Sequence, residues 1–335
     1  MGLSFGCGVG GTTDDLRVCV AHAKAAEAAG LDSVGYGDTQ VIYRDFVSVL
    51  TGVALETSRI DMGPTVTNPL TRSPVVLANA MATIDEVSGG RAYTAIGLGA
   101  SATANAGMDR AKPSQLAQAV HTYRSAFRDA PGPKSKTAPD TSVISIKWAR
   151  REPPVVVHAS GPLGRRVAAE HGDALLVRLG DADWSELPDL FAQTRQMHAE
   201  GPRAELPFKI WVFAPMALGE IDPASALAGI VSARAKTLKP ETCPAELIDA
   251  VRAYHEEYDY KYHASVAEPR NLELMDRLGL TPYMNGRFSL SGAREKLLEQ
   301  FASLERAGAD RLLLSGVDDI GAFKPLIHAY RLGVQ

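Results

Sequence analysis

The sequence predicts an α/β fold, a (β/α)8 TIM barrel with a long insertion between its seventh and eighth strands. Short Val-, Ile- and Leu-rich segments alternate with amphipathic, Ala-rich ones, the order in which a parallel sheet acquires outer helices. Eight such units occur, most of them about 25 to 40 residues long, the length of a strand with its returning helix. Turns such as Ala29-Gly30-Leu31-Asp32 and Ala307-Gly308-Ala309-Asp310 lead into strands. A glycine just past a helix takes the left-handed conformation that ends it, so these turns belong at the bottom of a barrel.

In chain order the predicted strands are Leu3–Cys7, Ser33–Gly37, Ile60–Thr67, Ala92–Leu98, Val155–Ala159, Ala174–Val177, Lys209–Met216 and Arg311–Ser315. Two spacings break the rhythm. About 55 residues separate the fourth strand from the fifth; there the Pro- and Lys-rich Ala130–Pro139 reads as an exposed loop before a small strand or hairpin near Val143–Trp148. About 95 residues separate the seventh strand from the eighth, with helical patterns at Pro244–Tyr258, Leu272–Leu278 and Ser291–Ala307. No low-complexity linker or abrupt shift of composition divides the chain. The expectation is one domain over residues 1–335, with an insertion at 217–290 that covers the active-site mouth and selects the substrate.

Composition excludes several classes of function. The 335 residues carry 35 Lys and Arg against 39 Asp and Glu, a net charge of −4 with the two signs interspersed, so no nucleic-acid partner is expected. Met1 leads straight into a strand, and no apolar stretch reaches about 18 residues, which predicts no membrane span and a cytoplasmic protein. Cys7, Cys19 and Cys243 form no CxxC pair, so reduced thiols are expected and a zinc ribbon is not. HExxH is missing, and Gly99-Ala100-Ser101-Ala102-Thr103 lacks the last glycine of GxSxG; no metal and no serine nucleophile are expected.

Gly6-Cys7-Gly8-Val9-Gly10-Gly11 has GxGxxG spacing after a strand and before a helix, with Asp38 near the end of the next strand. On paper this is a dinucleotide-binding fingerprint, in which glycines admit a pyrophosphate to a helix N-terminus and the acid takes a ribose hydroxyl. Eight βα units favour the alternative, a Gly-rich first loop that leaves room at a crowded barrel mouth.

A more specific stretch runs Thr67-Asn68-Pro69-Leu70-Thr71-Arg72-Ser73-Pro74-Val75-Val76, continues through Ala82-Thr83-Ile84-Asp85-Glu86-Val87-Ser88-Gly89-Gly90-Arg91, and ends at Ile96-Gly97-Leu98-Gly99. Ser73-Pro74 suits a helix start, and Ser88-Gly89-Gly90 a helix stop that turns into the next strand. This strand–loop–helix–SGGR–strand–GxG block resembles the bacterial luciferase-like superfamily. Gly63-Pro64-Thr65-Val66-Thr67-Asn68-Pro69 is most similar to its deazaflavin (F420) branch around methylenetetrahydromethanopterin reductase. Val155-Val156-Val157-His158-Ala159-Ser160-Gly161-Pro162 resembles the family's fifth-strand turn, and Phe288–Gly292 with Ala307–Arg311 its closing unit.

The resemblance implies an oxidoreductase that binds F420, with FMN as the alternative, at the C-terminal ends of the strands. It implies F420-dependent hydride transfer to or from a small organic substrate. The alternatives are an FMNH2-dependent monooxygenase that uses O2 and a reductase partner, and a non-catalytic flavin-binding protein. It also implies a homo-oligomer. Carried over, the ring would lie against a non-proline cis peptide at Thr65–Val66, near Asn68. The phosphate would meet Ser160, Gly161 and Leu163, flanked by Gly97, Gly99 and Ser101, since a helix N-terminus offers free N–H donors. Many relatives carry Asp-His after the second strand; this chain reads Gly37-Asp38-Thr39-Gln40. Thr39 and Gln40 can hydrogen-bond but do not titrate near neutrality, so a proton must come from Asp38, from His158, or from His263 in the insertion.

Overall fold

The computed structural model describes residues 2–8, 15–128, 130–131, 143–218, 231–232, 234–236, 238–259, 262, 268–316 and 320–333. Its strands are β1 (Ser4–Gly8), β2 (Ser33–Tyr36), β3 (Asp61–Pro64), β4 (Thr94–Ile96), β5 (Ala130–Pro131), β6 (Val143–Ile144), β7 (Val155–His158), β8 (Ala174–Arg178), β9 (Lys209–Leu218), β10 (Leu290–Gly292) and β11 (Arg311–Ser315). The helices are α1 (Leu16–Ala29), α2 (Phe46–Glu56), α3 (Pro74–Ser88), α4 (Ser101–Asn105), α5 (Pro113–Ser125), α6 (Pro162–His171), α7 (Leu187–Ala199), α8 (Ile248–Glu257), α9 (Arg270–Arg277), α10 (Thr281–Phe288), α11 (Arg294–Ala307) and α12 (Ile320–Leu332).

The principal sheet runs β3-β2-β1-β11-β9-β8-β7-β4, every pair parallel. Two parallel bridges, Met62↔Ala92 and Thr67↔Ile96, join its outer strands. Their hydrogen bonds include Met62 N to Arg91 O and Gly97 N to Thr67 O, each 2.9 Å. The result is the predicted (β/α)8 barrel, its eight strands near their predicted positions. β3 and β4 are shorter than Ile60–Thr67 and Ala92–Leu98 predict, because between the two bridges five steps along β3 face four along β4. The extra residue makes a bulge that interrupts the ladder.

Local chemistry explains the helix ends. Asp15 caps α1 by accepting from Arg17 N at 2.8 Å and Val18 N at 3.1 Å, satisfying donors that the first turn leaves free. Gly30, at φ 87°, closes the same helix, and Gly308, at φ 105°, closes α11. The aspartates of those turns tie the barrel bottom: Asp32 accepts from Phe5 N at 2.8 Å and Asp310 from Ile210 N at 2.6 Å.

Two apolar layers result. Outer helices pack on the strands through Phe46, Leu50, Phe191, Phe301 and Phe323. Inside the ring, Tyr93 of the β3–β4 connection and Trp211 of β9 meet edge to face at 5.0 Å, with Ala95, Val156 and Leu176 around them. These large rings fit because β2 and β3 present glycines: a Cβ on Gly63 would stand 2.2 Å from Tyr93 O, and one on Gly35 would stand 3.3 Å from Tyr93 Oη.

β6 falls where a small strand is anticipated, but it pairs antiparallel with β5 at Ala130–Pro131, within the stretch that reads as an exposed loop. Between β9 and β10 lie α8, α9 and α10, whose Val251, Tyr254, Met275, Met284 and Phe288 form an apolar cluster of their own. α10 falls between the predicted helical patterns, and β10, an unpredicted strand, extends β9 in parallel outside the ring. No helix among the described residues is long and apolar enough to cross a membrane.

Candidate active site

The C-terminal ends of the barrel strands converge on one mouth, where loop side chains from different units can meet. The loop after β2 carries Asp38, only 6% exposed. Its Oδ2 accepts from Thr67 Oγ1 at 2.6 Å and its Oδ1 from Gln40 Nε2 at 3.1 Å. Burial pushes the Asp38 carboxyl above its ordinary range, against the opposing pull of Thr67 and the Arg72 guanidinium. The same loop holds Val41 at φ 63° with its side chain 89% exposed, a conformation β-branched residues rarely adopt. Thr39 Oγ1 lies 2.9 Å from Ser101 Oγ, joining this loop to the start of α4.

After β3, the Thr65–Val66 peptide is cis, as the resemblance implies. Glycines then allow close approach: a Cβ on Gly97 would stand 3.2 Å from both Val66 Cγ2 and His158 Nδ1, and one on Gly99 would stand 3.1 Å from Asn68 Cβ. Thr65, Val66, Asn68, Gly97, Gly99 and His158 therefore gather in one place although they come from three units. Asn68 uses its amide inside its own loop, its Oδ1 accepting from Leu70 N at 3.0 Å and Thr71 N at 2.9 Å.

His158 ends β7. Its Nε2 is buried and has no hydrogen-bond partner among the described residues. Burial first, then Arg178 and Arg234, bring the imidazole down to about 4, so it is neutral at pH 7. Two residues on, Ser160 donates to Asp181 Oδ2 at 2.5 Å. Gly161 is the N-cap of α6, no side chain caps that helix, and a Cβ on Gly161 would meet nothing within 4 Å. Leu163, in the first turn of α6, is 67% exposed. His263 lies outside the described residues, while His255 packs within its own segment, its Nε2 3.1 Å from Ala235 O.

A charged cluster at the end of β8 escaped the sequence reading. Arg178 donates to Asp181 through Nη2 at 3.0 Å and Nε at 3.3 Å. Arg234, from the segment between β9 and β10, reaches Leu179 O at 3.4 Å. Burial raises the Asp181 carboxyl, but Arg178, His158 and Ser160 outweigh it and hold the group below its ordinary range. The signal for Arg178 was an arginine closing the apolar run Ala174–Val177 before Leu179-Gly180-Asp181; for Arg234 the sequence offers none.

The SGGR motif proves to be structural. Arg91 stands at the bottom of the barrel and donates to Ser88 O, Thr57 Oγ1, Ile60 O, Ala54 O and Thr57 O, all between 2.7 and 3.0 Å.

Residues 3–311 match the family of luciferase-like monooxygenases. The chain belongs to that family. It is 35% identical over 163 residues to 5,10-methylenetetrahydromethanopterin reductase of Archaeoglobus fulgidus, covering 47% of each chain. It is 31% identical over 166 residues to the enzyme of that name from Methanolobus tindarius, covering 47% of this chain and 49% of the other. The chain thus spans about half the length of the curated relatives it matches. The fold is that of the F420-dependent tetrahydromethanopterin reductase of Methanopyrus kandleri, with TM-score 0.74, 21% identity and 98% and 97% of the two chains covered. EDTA monooxygenase from Chelativorans sp. BNC1 shares it at TM-score 0.65 and 13% identity, covering 100% of this chain and 95% of the other. In this luciferase-like barrel Gly6 is a packing residue: a Cβ there would stand 2.1 Å from Ser33 Oγ. That agrees with the favoured alternative to a dinucleotide site at Gly6; Val9, Gly10 and Gly11 lie outside the described residues.

Proposed function

We propose that the protein is an F420-dependent oxidoreductase that moves a hydride to or from a small organic substrate at the C-terminal mouth of the barrel. The observation that carries this reading is the meeting at one point of the Val66 bulge, the small Gly97 and His158, whose Nε2 has no partner among the described residues. The identity of about one third to 5,10-methylenetetrahydromethanopterin reductases over half the chain, together with the fold shared with an F420-dependent tetrahydromethanopterin reductase at a TM-score above that of the monooxygenase, supports F420 over FMN. When bound, the deazaflavin supplies the carbon that carries the hydride.

The residues present fit such a group. Val66 and Gly97 offer an apolar, side-chain-poor surface for a planar ring. The uncapped start of α6, open at Gly161, offers N–H donors and a favourable dipole for its phosphate, with Leu163 contributing its backbone. Thr39 and Ser101 tie two mouth loops together, and Gln40 orients Asp38. His158 and Asp38 are the titratable groups through which a proton moves. A neutral imidazole can accept a proton from a substrate hydroxyl or return one; a carboxyl raised by burial can serve the same end.

Titration of the purified protein with F420 and with FMN, each oxidised and reduced, followed by native mass spectrometry, tests the reading. F420 binding with bleaching or recovery of its absorbance in the presence of a carbonyl or alcohol is the expected outcome. Binding of FMN alone overturns the cofactor assignment and favours an FMNH2-dependent monooxygenase. F420 bound without redox change under any donor or acceptor favours a carrier.

A further inference from the structure

One serine at the mouth has its hydrogen already committed. Ser160 Oγ donates to Asp181 Oδ2 at 2.5 Å, and no described residue donates to it in turn. Arg178 binds Asp181 from the other side, its Nη2 reaching Oδ1 at 3.0 Å and its Nε reaching Oδ2 at 3.3 Å. The Asp181 side chain is 9% exposed; against burial, Arg178 and His158 hold its carboxyl below the ordinary range. An ionised carboxylate accepts and never donates, which fixes the direction of the Ser160 bond. A hydroxyl has one hydrogen and two lone pairs. With the hydrogen on Asp181, Ser160 has only lone pairs left for a ligand at the adjacent start of α6, where a Cβ on Gly161 would meet nothing within 4 Å. Ser101 differs: its bond to Thr39 Oγ1, at 2.9 Å, joins two hydroxyls and uses only one of their hydrogens, so that pair can still donate to an anion.

We propose that Asp181, fixed by Arg178, is a positioning residue that makes Ser160 an acceptor, so that Ser160 reads a hydroxyl of a phosphorylated polyol and not its phosphate. The inference rests on the start of α6 receiving the cofactor's phosphate, as proposed above. An ionised phosphate oxygen offers Ser160 no hydrogen, and the two would meet lone pair to lone pair. Swinging the serine round to donate would exchange one charge-assisted bond for another while leaving a nearly buried carboxylate short of a donor. Backbone N–H groups of α6 therefore take the anion, and Ser160 takes an O–H beside it. A chain of hydroxyl-bearing carbons ending in phosphate supplies both, and deazaflavin and flavin nucleotides carry such an arm. An alkyl phosphate supplies only the anion.

The test compares ribitol 5-phosphate with ethyl phosphate, two monoesters of equal charge, on the full-length protein at constant ionic strength, with binding followed by NMR through the Gly161 amide. The native protein is expected to prefer ribitol 5-phosphate about fivefold, the worth of one neutral hydrogen bond. Ser160→Ala should abolish the preference by weakening ribitol 5-phosphate alone, and Ser160→Thr, which keeps the hydroxyl, should retain it. In Asp181→Asn the two Arg178 nitrogens claim the amide oxygen, so the amide NH2 faces Ser160 and frees its hydrogen for an anion. Both probes gain from the lost charge there, and the preference should disappear. The ratio of the two affinities is the readout, because a merely structural change would move both probes alike. Equal affinities in the native protein, or a Ser160→Ala variant in which both probes weaken equally, overturn the proposal and return Ser160 to the phosphate. F420 affinity is measured in parallel by fluorescence. F420 bound with no preference between the probes rejects this inference and leaves the cofactor reading intact; the preference without F420 binding keeps the inference and rejects the cofactor reading.

Discussion

The Thr67–Asp38 contact gives the sharpest test of how the mouth is held. Thr67 is fully buried and Asp38 nearly so, with 2.6 Å between hydroxyl and carboxylate. Since burial raises the Asp38 carboxyl above its ordinary range, the folded protein disfavours the charged form. Stability tied to this group is therefore greatest below the unfolded value, near 3.9, and declines as pH rises through the higher folded value. The Thr67 hydroxyl offsets part of that decline by donating to the charged carboxylate. Thr67→Val keeps the branched shape and removes the donor. A hydrogen bond to a charged group contributes about 1.5–3 kcal/mol and one to a neutral group about 0.5–1.5, so the variant should lose about 2 kcal/mol where Asp38 is ionised and roughly 1 kcal/mol less where it is protonated. The difference corresponds to a further rise of Asp38 by roughly one pKa unit. Urea unfolding followed by tryptophan fluorescence, from about pH 3, below the unfolded value, to about pH 8, measures it. Thr67→Ser, which keeps the hydroxyl, should show a loss that does not change with pH. A Thr67→Val penalty that is flat across the range, or below about 0.5 kcal/mol at neutral pH, would refute the argument.

Gly161→Asp should leave the melting temperature unchanged, since a Cβ there meets nothing within 4 Å, while F420 affinity falls about tenfold or more because an anion faces the phosphate; unchanged affinity in equilibrium fluorescence titration would put the phosphate elsewhere. Arg91→Lys should cost roughly 2–4 kcal/mol of stability, because an ammonium with three donors cannot replace the five bonds Arg91 makes. Cofactor affinity, measured on the folded fraction, should not change, as the residue is at the opposite end of the barrel. His158 has a folded value of about 4, below its ordinary 6.5, so its contribution to stability is intact above about 6.5 and is lost as pH falls toward 4. His158→Gln should accordingly flatten the stability profile between those limits, and an unaltered profile would contradict the buried, neutral imidazole.

The repeating strand and helix patterns, their capping glycines and the Thr67–Gly99 block were legible in the sequence, because periodicity, caps and turns depend on neighbours within a few positions. From them came the barrel, the order of its strands and the family. Even there, local pattern misjudged β3 and β4: the apolar run Ile60–Thr67 reads as one strand, yet the bulge opposite β4 ends regular pairing at Pro64. The GxGxxG spacing by itself would overstate Gly6, whose smallness serves Ser33 and Leu313 on the flanking strands β2 and β11.

What the sequence by itself determined is which segments become strands and helices, where they stop, and hence that their carboxyl ends share one mouth. Only the tertiary structure decided that Thr67 supports Asp38, that Arg91 locks the barrel bottom, and that Arg178 and Arg234, separated by 55 intervening residues, stand beside the same imidazole. The physical reason is that charge and burial act through space. The state of His158 depends on groups brought near it by chain closure, which no spacing along the chain encodes.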